Sequence, residues 1–388
     1  MFKRVSLPIQ LLIVVGAVFI FGRFLSLDAV RFFYTFSLAF KEVLGFCLPF
    51  IIFSFIVAGI LSLKKNAIVV IPIIFLGIVI SNVVVILTSY FVGKNVLPFL
   101  TNGAKTEGIL FGDSLQPFFT FKMPVLLEST HAMLAALGIG VVLTFLNFPK
   151  IESCLIKLKD VVEFLFKKIF IPFLPVYVLG FLLEINHKGD FISLFNYYGR
   201  ALGLIIVLQF LYLFLMYLLA SGFSFKKTWV AIKNAIPSYL TAFSTMSSTG
   251  AIPVTLEAAK KNTKNKALSS VAIPIFANVH LIGDGITVPI LSLVTLSLFI
   301  GVVPSFATFA SFAFYFCLIM LGTSGVPGGG IIVIIPILKS ILGFSPEMVG
   351  IITTLYLLQD SLGTAGNVMG DGALVMIVNK GLKWLKIA

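Results

Sequence analysis

Residues 285–338 read GITVPILSLVTLSLFIGVVPSFATFASFAFYFCLIMLGTSGVPGGGIIVIIPIL, 54 consecutive residues without an Asp, Glu, Lys or Arg. One helix of that length would be ~81 Å long, far beyond a bilayer core of ~30 Å. The stretch has to turn. Pro304 and the run Gly322-Thr323-Ser324-Gly325-Val326-Pro327-Gly328-Gly329-Gly330 are the natural places for it to do so.

The rest of the chain has the same character. Of 388 residues, 59% are hydrophobic and 11% charged. A soluble domain has about a quarter of its residues charged. This composition excludes disorder, a coiled coil and an ordinary soluble enzyme, and leaves a polytopic membrane protein. Residues 5–22, 43–63, 66–93, 132–149 and 201–225 are further charge-free stretches, and 169–183 extends to a span near 163–186. Each fits one crossing. The first follows Lys3 and Arg4 as in a signal peptide. It lacks a small-x-small cleavage site, so it reads as a retained span.

The net charge of +13 follows from topology. With the N-terminus inside and six alternating spans, 19 of the 28 Lys and Arg fall on one side. That is the positive-inside pattern, with both termini cytoplasmic in the cell (inner) membrane, and it removes nucleic acid as a partner. Cys47, Cys154 and Cys317 have no metal-ligand spacing and read as buried apolar thiols.

Two stretches break the pattern of simple spans. Residues 225–260 carry the polar tip Ser244-Thr245-Met246-Ser247-Ser248-Thr249-Gly250-Ala251-Ile252-Pro253, and 303–343 carry the Gly-rich tip. Their arms, of about 12–18 residues, are short for crossing, so both read as re-entrant hairpins. Thr249 to Pro253 parallels Ser324 to Pro327, and an apolar segment with an Asp follows each hairpin, Asp284 after the first and Asp360 after the second. A hairpin-plus-helix unit repeated from opposite faces is the architecture of secondary transporters, with the substrate near mid-membrane.

Between residues 267 and 379 the acids are Asp284, Glu347, Asp360 and Asp371, and the one base is Lys339. Asp284, Asp360 and Asp371 thus lie at membrane depth without Lys or Arg. An unpaired charge there costs several kcal/mol, so each is protonated or meets a cation. On a helix, Asp360, Thr364, Asn367 and Asp371 form one stripe. Oxygen-rich side chains without His or Cys suit a hard cation such as Na⁺, not a transition metal. The segment Asn278-Val279-His280-Leu281-Ile282-Gly283-Asp284-Gly285 is expected to unwind at its glycines and free carbonyls for cations. His280 reads as a satisfied core histidine ahead of a proton relay.

These residues resemble the dicarboxylate/amino acid:cation symporter family, most strongly at Ser247 to Thr255, Gly322 to Gly330 and Asn367 to Asp371. The resemblance implies an all-α polytopic fold with eight transmembrane helices and two re-entrant helical hairpins, an inverted-repeat elevator transporter. It implies a homotrimer in membrane lipid. Residues 1–66 and 99–190 would form a scaffold, and 67–98 and 191–388 a transport domain. In the family pattern, Ser247, Ser248 and Asn367 hold the substrate α-carboxylate. Gly325, Val326, Pro327 and Gly328 form the gate, and Asp360 takes the amino group beside Gly363 and Thr364. Asp371, Asp284 and Asn367 are cation ligands, with a further site at Ser81 and Asn82. Na⁺ is expected at Asp371 and Asp284. No cofactor is implied; the coupling ion is Na⁺ or H⁺.

Departures from the pattern set the substrate. Acidic-substrate members carry an Arg where this chain has Gly363, or at the first hairpin tip where it has Met246, and a Thr where it has Ile286. A second substrate carboxylate would be buried unpaired at a cost of several kcal/mol. The expectation is a neutral amino acid, with an acidic amino acid or dicarboxylate as the alternative. The chain is not read as an enzyme. Leu281-Ile282-Gly283-Asp284 lacks the first Gly of an intramembrane aspartyl protease, and neither Ser247 nor Ser248 has a His nearby in sequence. Glu128 and His131 receive no role.

Overall fold

The computed structural model describes residues 7–62, 70–101, 115–124, 126–127, 129–146, 148–165, 168–169, 171–187, 191–320 and 328–384. Helix is the only regular structure among them. In chain order the α-helices are α1 (Leu7–Phe21), α2 (Leu27–Ser62), α3 (Val70–Leu100), α4 (Ser129–Phe145), α5 (Pro149–Leu165), α6 (Ile171–His187) and α7 (Phe191–Ala220). There follow α8 (Phe225–Thr245), α9 (Ser248–Thr263), α10 (Lys266–Val279), α11 (Ile282–Ile300), α12 (Phe306–Met320), α13 (Gly329–Leu342) and α14 (Pro346–Trp384).

Four segments among the described residues are long and apolar enough to cross a bilayer: Pro72–Leu100, Phe195–Ala220, Lys266–Ile300 and Glu347–Trp384. Their burial differs, and that locates the core. The most apolar window is 94% buried in Lys266–Ile300 and 83% in Glu347–Trp384, against 33% in Phe195–Ala220. Helices α11 and α14 therefore form the centre. Helix α7 turns an exposed i+4 stripe of Val207, Leu211, Leu215 and Leu219 outward, as a lipid-facing helix does. Helix α11 packs on α14, α3 and α7, and α14 also on α8 and α9. Helix α2 packs on α4, α5 and α6.

Several helices outrun the charge-free stretches. Helix α2 begins at Leu27, takes in Arg31, and Arg31 Nε donates to the Gln116 carbonyl at 2.9 Å. The span expected near 163–186 starts as a helix at Ile171, because the amphipathic helix α5 precedes it. Cys154 lies exposed on α5, so only Cys317 fits the buried reading, and Cys47 is half-buried.

The long charge-free stretch turns at Gly301, which caps α11 at φ 63, and at Pro304, whose carbonyl accepts from Tyr90 Oη at 2.9 Å. Of its second expected turn, Gly322 to Gly330, residues 322–327 lie outside the described residues. Arms α12 and α13, of 15 and 14 residues, are as short as expected. In the first hairpin, α8 has 21 residues, longer than expected, and α9 has 16. The tip is narrow. Met246 takes the left-handed conformation (φ 50) and its N–H reaches the Ala242 carbonyl at 2.8 Å, and Ser247 Oγ caps α9 by accepting from Gly250 N at 3.0 Å.

Candidate functional site

The break between α10 and α11 lies at His280 and Leu281, ahead of the glycines expected to cause it. Its cause is a side chain from far away in sequence. Asn82 on α3 donates from Nδ2 to the Val279 carbonyl (2.9 Å) and accepts at Oδ1 from Leu281 N (3.3 Å). Two of the groups freed by the break are thereby satisfied inside the protein, as membrane depth demands. Gly283 and Gly285 remain helical and serve close packing. A Cβ on Gly283 would collide with the Gly363 carbonyl, and one on Gly285 would come within 2.6 Å of Val85. Carbonyl ligands freed at the glycines are thus not present, and the opening falls two residues earlier.

The stripe on α14 is intact and buried. Asp360, Thr364, Asn367 and Asp371 are each at most 7% exposed. Asp360 Oδ2 accepts from Gly328 N at 2.8 Å, and Oδ1 from Thr364 Oγ1 at 3.2 Å. Gly328 sits at φ 71 as the N-cap of α13, a conformation that suits glycine. The second hairpin thus reaches Asp360 through its backbone. Gly325, Val326 and Pro327 lie outside the described residues, as does Glu128. His131 is exposed near the start of α4.

Asn367 ties α14 to the first turn of α11. Its Oδ1 accepts from Gly283 N at 2.6 Å, and its Nδ2 donates to Asp284 Oδ2 at 3.2 Å. Tyr356 Oη donates to Asp284 Oδ1. Both oxygens of Asp284 are thereby held by neutral donors. Asp371 differs. Its Oδ1 meets His280 Nδ1 at 2.9 Å, and Oδ2 is buried without a hydrogen-bond partner. His280 is fully buried, and its Nε2 lies 2.9 Å from Ser81 Oγ. The satisfied core reading of His280 fits this arrangement, and Ser81 and Asn82 both serve the break. Among the partners described for the three Asp, none is Lys or Arg.

The first hairpin docks beside the stripe. Ala242 and Ala251 pack with Ala365 and Val368 of α14, and Ser248 is buried there. Met246 and Ile286 are buried and apolar. At Gly363, a Cβ would stand in ordinary contact with the Gln359 amide, at 3.4 Å. Gln359 Oε1 accepts from Thr287 at 3.1 Å, and its Nε2 is buried without a partner.

Sequence reasoning missed Tyr356 and Gln359. Tyr356 lies four residues before Asp360, one turn along the same stripe, so helical spacing contained the signal. The meeting of His280 with Asp371, 91 residues away, carries no local signal.

These features form one buried polar layer: three carboxylates, an asparagine that cross-links a broken helix to its neighbour, and a backbone donor from a short hairpin. A family model described as the sodium:dicarboxylate symporter family matches residues 7–381. Two curated proteins named serine/threonine transporter SstT, from two strains of Acinetobacter baumannii, are each 36% identical to the chain over 140 residues. That is 34% of this chain and 34% of each relative, so the match spans about a third of their length. The family match covers nearly the whole chain, and the chain belongs to the sodium:dicarboxylate symporter family.

Proposed function

We propose that this protein is a secondary active symporter that imports a neutral amino acid across the cell (inner) membrane, coupled to Na⁺ or H⁺. The observation that carries the substrate class is the surroundings of Asp360. Its carboxylate, held by Gly328 N and Thr364, offers a counter-charge to a substrate ammonium. At the positions where acidic-substrate members of the family pattern carry Arg or Thr, this chain has Gly363, Met246 and Ile286, which supply no cation for a second carboxylate. The names of the relatives favour serine or threonine as the first candidates. The alternative is an acidic amino acid or dicarboxylate, which the family description favours.

In this reading, Ser247, Ser248 and Asn367 orient the substrate carboxylate, and the second hairpin covers it with its backbone at Gly325, Val326, Pro327 and Gly328. Asp371, with its unpartnered Oδ2, is the better cation ligand, and Asp284 a second one. Residues 1–66 and 99–190 act as the scaffold of a trimer, on which 67–98 and 191–388 slide as an elevator. The packing of α2 with α4, α5 and α6, and of α11 with α14, α3 and α7, supports this division. The N- and C-termini are cytoplasmic.

The test is uptake by the purified chain in proteoliposomes under an imposed Na⁺ or H⁺ gradient. Accumulation of serine, threonine or another neutral amino acid under one gradient is expected. Accumulation of a dicarboxylate with no neutral amino acid under either gradient refutes the substrate assignment.

A further inference from the structure

At the end of the molecule where α7, α9 and α14 finish and α8 begins, a recess of about 910 Å³ is lined by Lys226, Lys227, Lys261, Lys264, Lys380 and Lys383. Among the described residues, no Asp or Glu lines it. We propose that this recess binds the phosphate of an anionic lipid headgroup.

The positive-inside rule accounts for basic residues on this face, and the negative C-terminal ends of α9 and α14 favour Lys261, Lys380 and Lys383. The helix dipoles do not account for Lys226 and Lys227. They stand in the first turn of α8, the positive end of a helix dipole, where a cation is repelled and an anion attracted. Ser224, the N-cap, makes no side-chain cap there, and α8 has no acid in its first turn. A phosphate would answer the helix end and the lysines together.

An independent observation points to a ligand. Ser221 lines the recess, and its Oγ is buried, at 8% residue exposure, without a hydrogen-bond partner. The source of the phosphate is set by the rim. Phe223, Phe225 and Trp229 are exposed beside the recess, as is Trp384 at the end of α14. Large exposed aromatics are placed as in the belt at a membrane–water interface, where lipid headgroups lie.

The full chain in neutral detergent, titrated with phosphatidylglycerol and read by native mass spectrometry, tests the site. A saturable adduct is expected. Lys227→Gln, an exposed change, should weaken it about fivefold, and K227Q/K380Q/K383Q on the order of a hundredfold. The arginine triple K227R/K380R/K383R should keep it, as should K150Q/K157Q, which removes charge elsewhere. Equal affinity of wild type and the glutamine triple overturns the proposal. So does unchanged affinity of Lys227→Gln, which decides the matter if the triple does not fold. Displacement of the lipid by an equal concentration of inorganic phosphate would overturn the lipid as the source.

Discussion

Asp284 and Asp371 are both buried carboxylates on the two central helices, yet their surroundings differ. Asp284 gives one oxygen to Tyr356 and the other to Asn367. Asp371 gives one oxygen to His280 and leaves the other unpartnered. A buried acceptor without a donor costs about 1–3 kcal/mol, more when charged. A cation therefore gains more by arriving at Asp371 than at Asp284, where it must displace donors already in place. Asp360 is a third case, held in part by the backbone of a hairpin. Acids of one buried polar layer thus have different neighbours, and the proposed function gives them different tasks.

The largest expected effect is at Asp360. Asp360→Asn removes the counter-charge for the ammonium, so amino acid uptake should fall to background while the chain elutes from a sizing column as wild type does. Uptake at the wild-type rate would remove Asp360 from the substrate site. Next comes the contrast itself. Asp371→Asn should raise the concentration of the driving cation needed for half-maximal uptake by about ten- to hundredfold, the worth of one charged ligand contact. Asp284→Asn should raise it less, and equal shifts would erase the distinction.

Gly363→Arg should shift the ratio of aspartate to serine uptake by about tenfold or more toward aspartate, since a guanidinium pairs with a second carboxylate. A Cβ there stands in ordinary contact with the Gln359 amide, the end of a flexible side chain. An unchanged ratio would locate selectivity elsewhere. The smallest effect is expected from Tyr356→Phe, which removes one donor from Asp284. It should cost about 1–3 kcal/mol, read as a lowered unfolding midpoint in detergent. A midpoint at the wild-type value would show that Asp284 does not depend on that donor.

Local periodicity made much of this layer legible. The stripe from Asp360 to Asp371 follows from helical spacing alone, and the short arms of the second hairpin from the length of apolar sequence around its glycines. Sequence alone misplaces the break between α10 and α11, because Gly283 and Gly285 read as points of unwinding. They are close-packing positions, one against the backbone of α14 and one against α3. What opens the helix is Asn82, nearly 200 residues away, and no local pattern contains that contact. The His280–Asp371 pair is hidden in the same way. Tyr356 was accessible, at one turn before Asp360, but a tyrosine in an apolar run reads as packing until a carboxylate is found facing it.

The most direct measurement of substrate and coupling together is a binding titration of the purified chain with serine and with aspartate, each with and without Na⁺ at several pH values. Serine binding that tightens with Na⁺ or with falling pH, alongside weak or absent aspartate binding, is the expected result. Aspartate binding tighter than serine under every condition would contradict a neutral amino acid symporter.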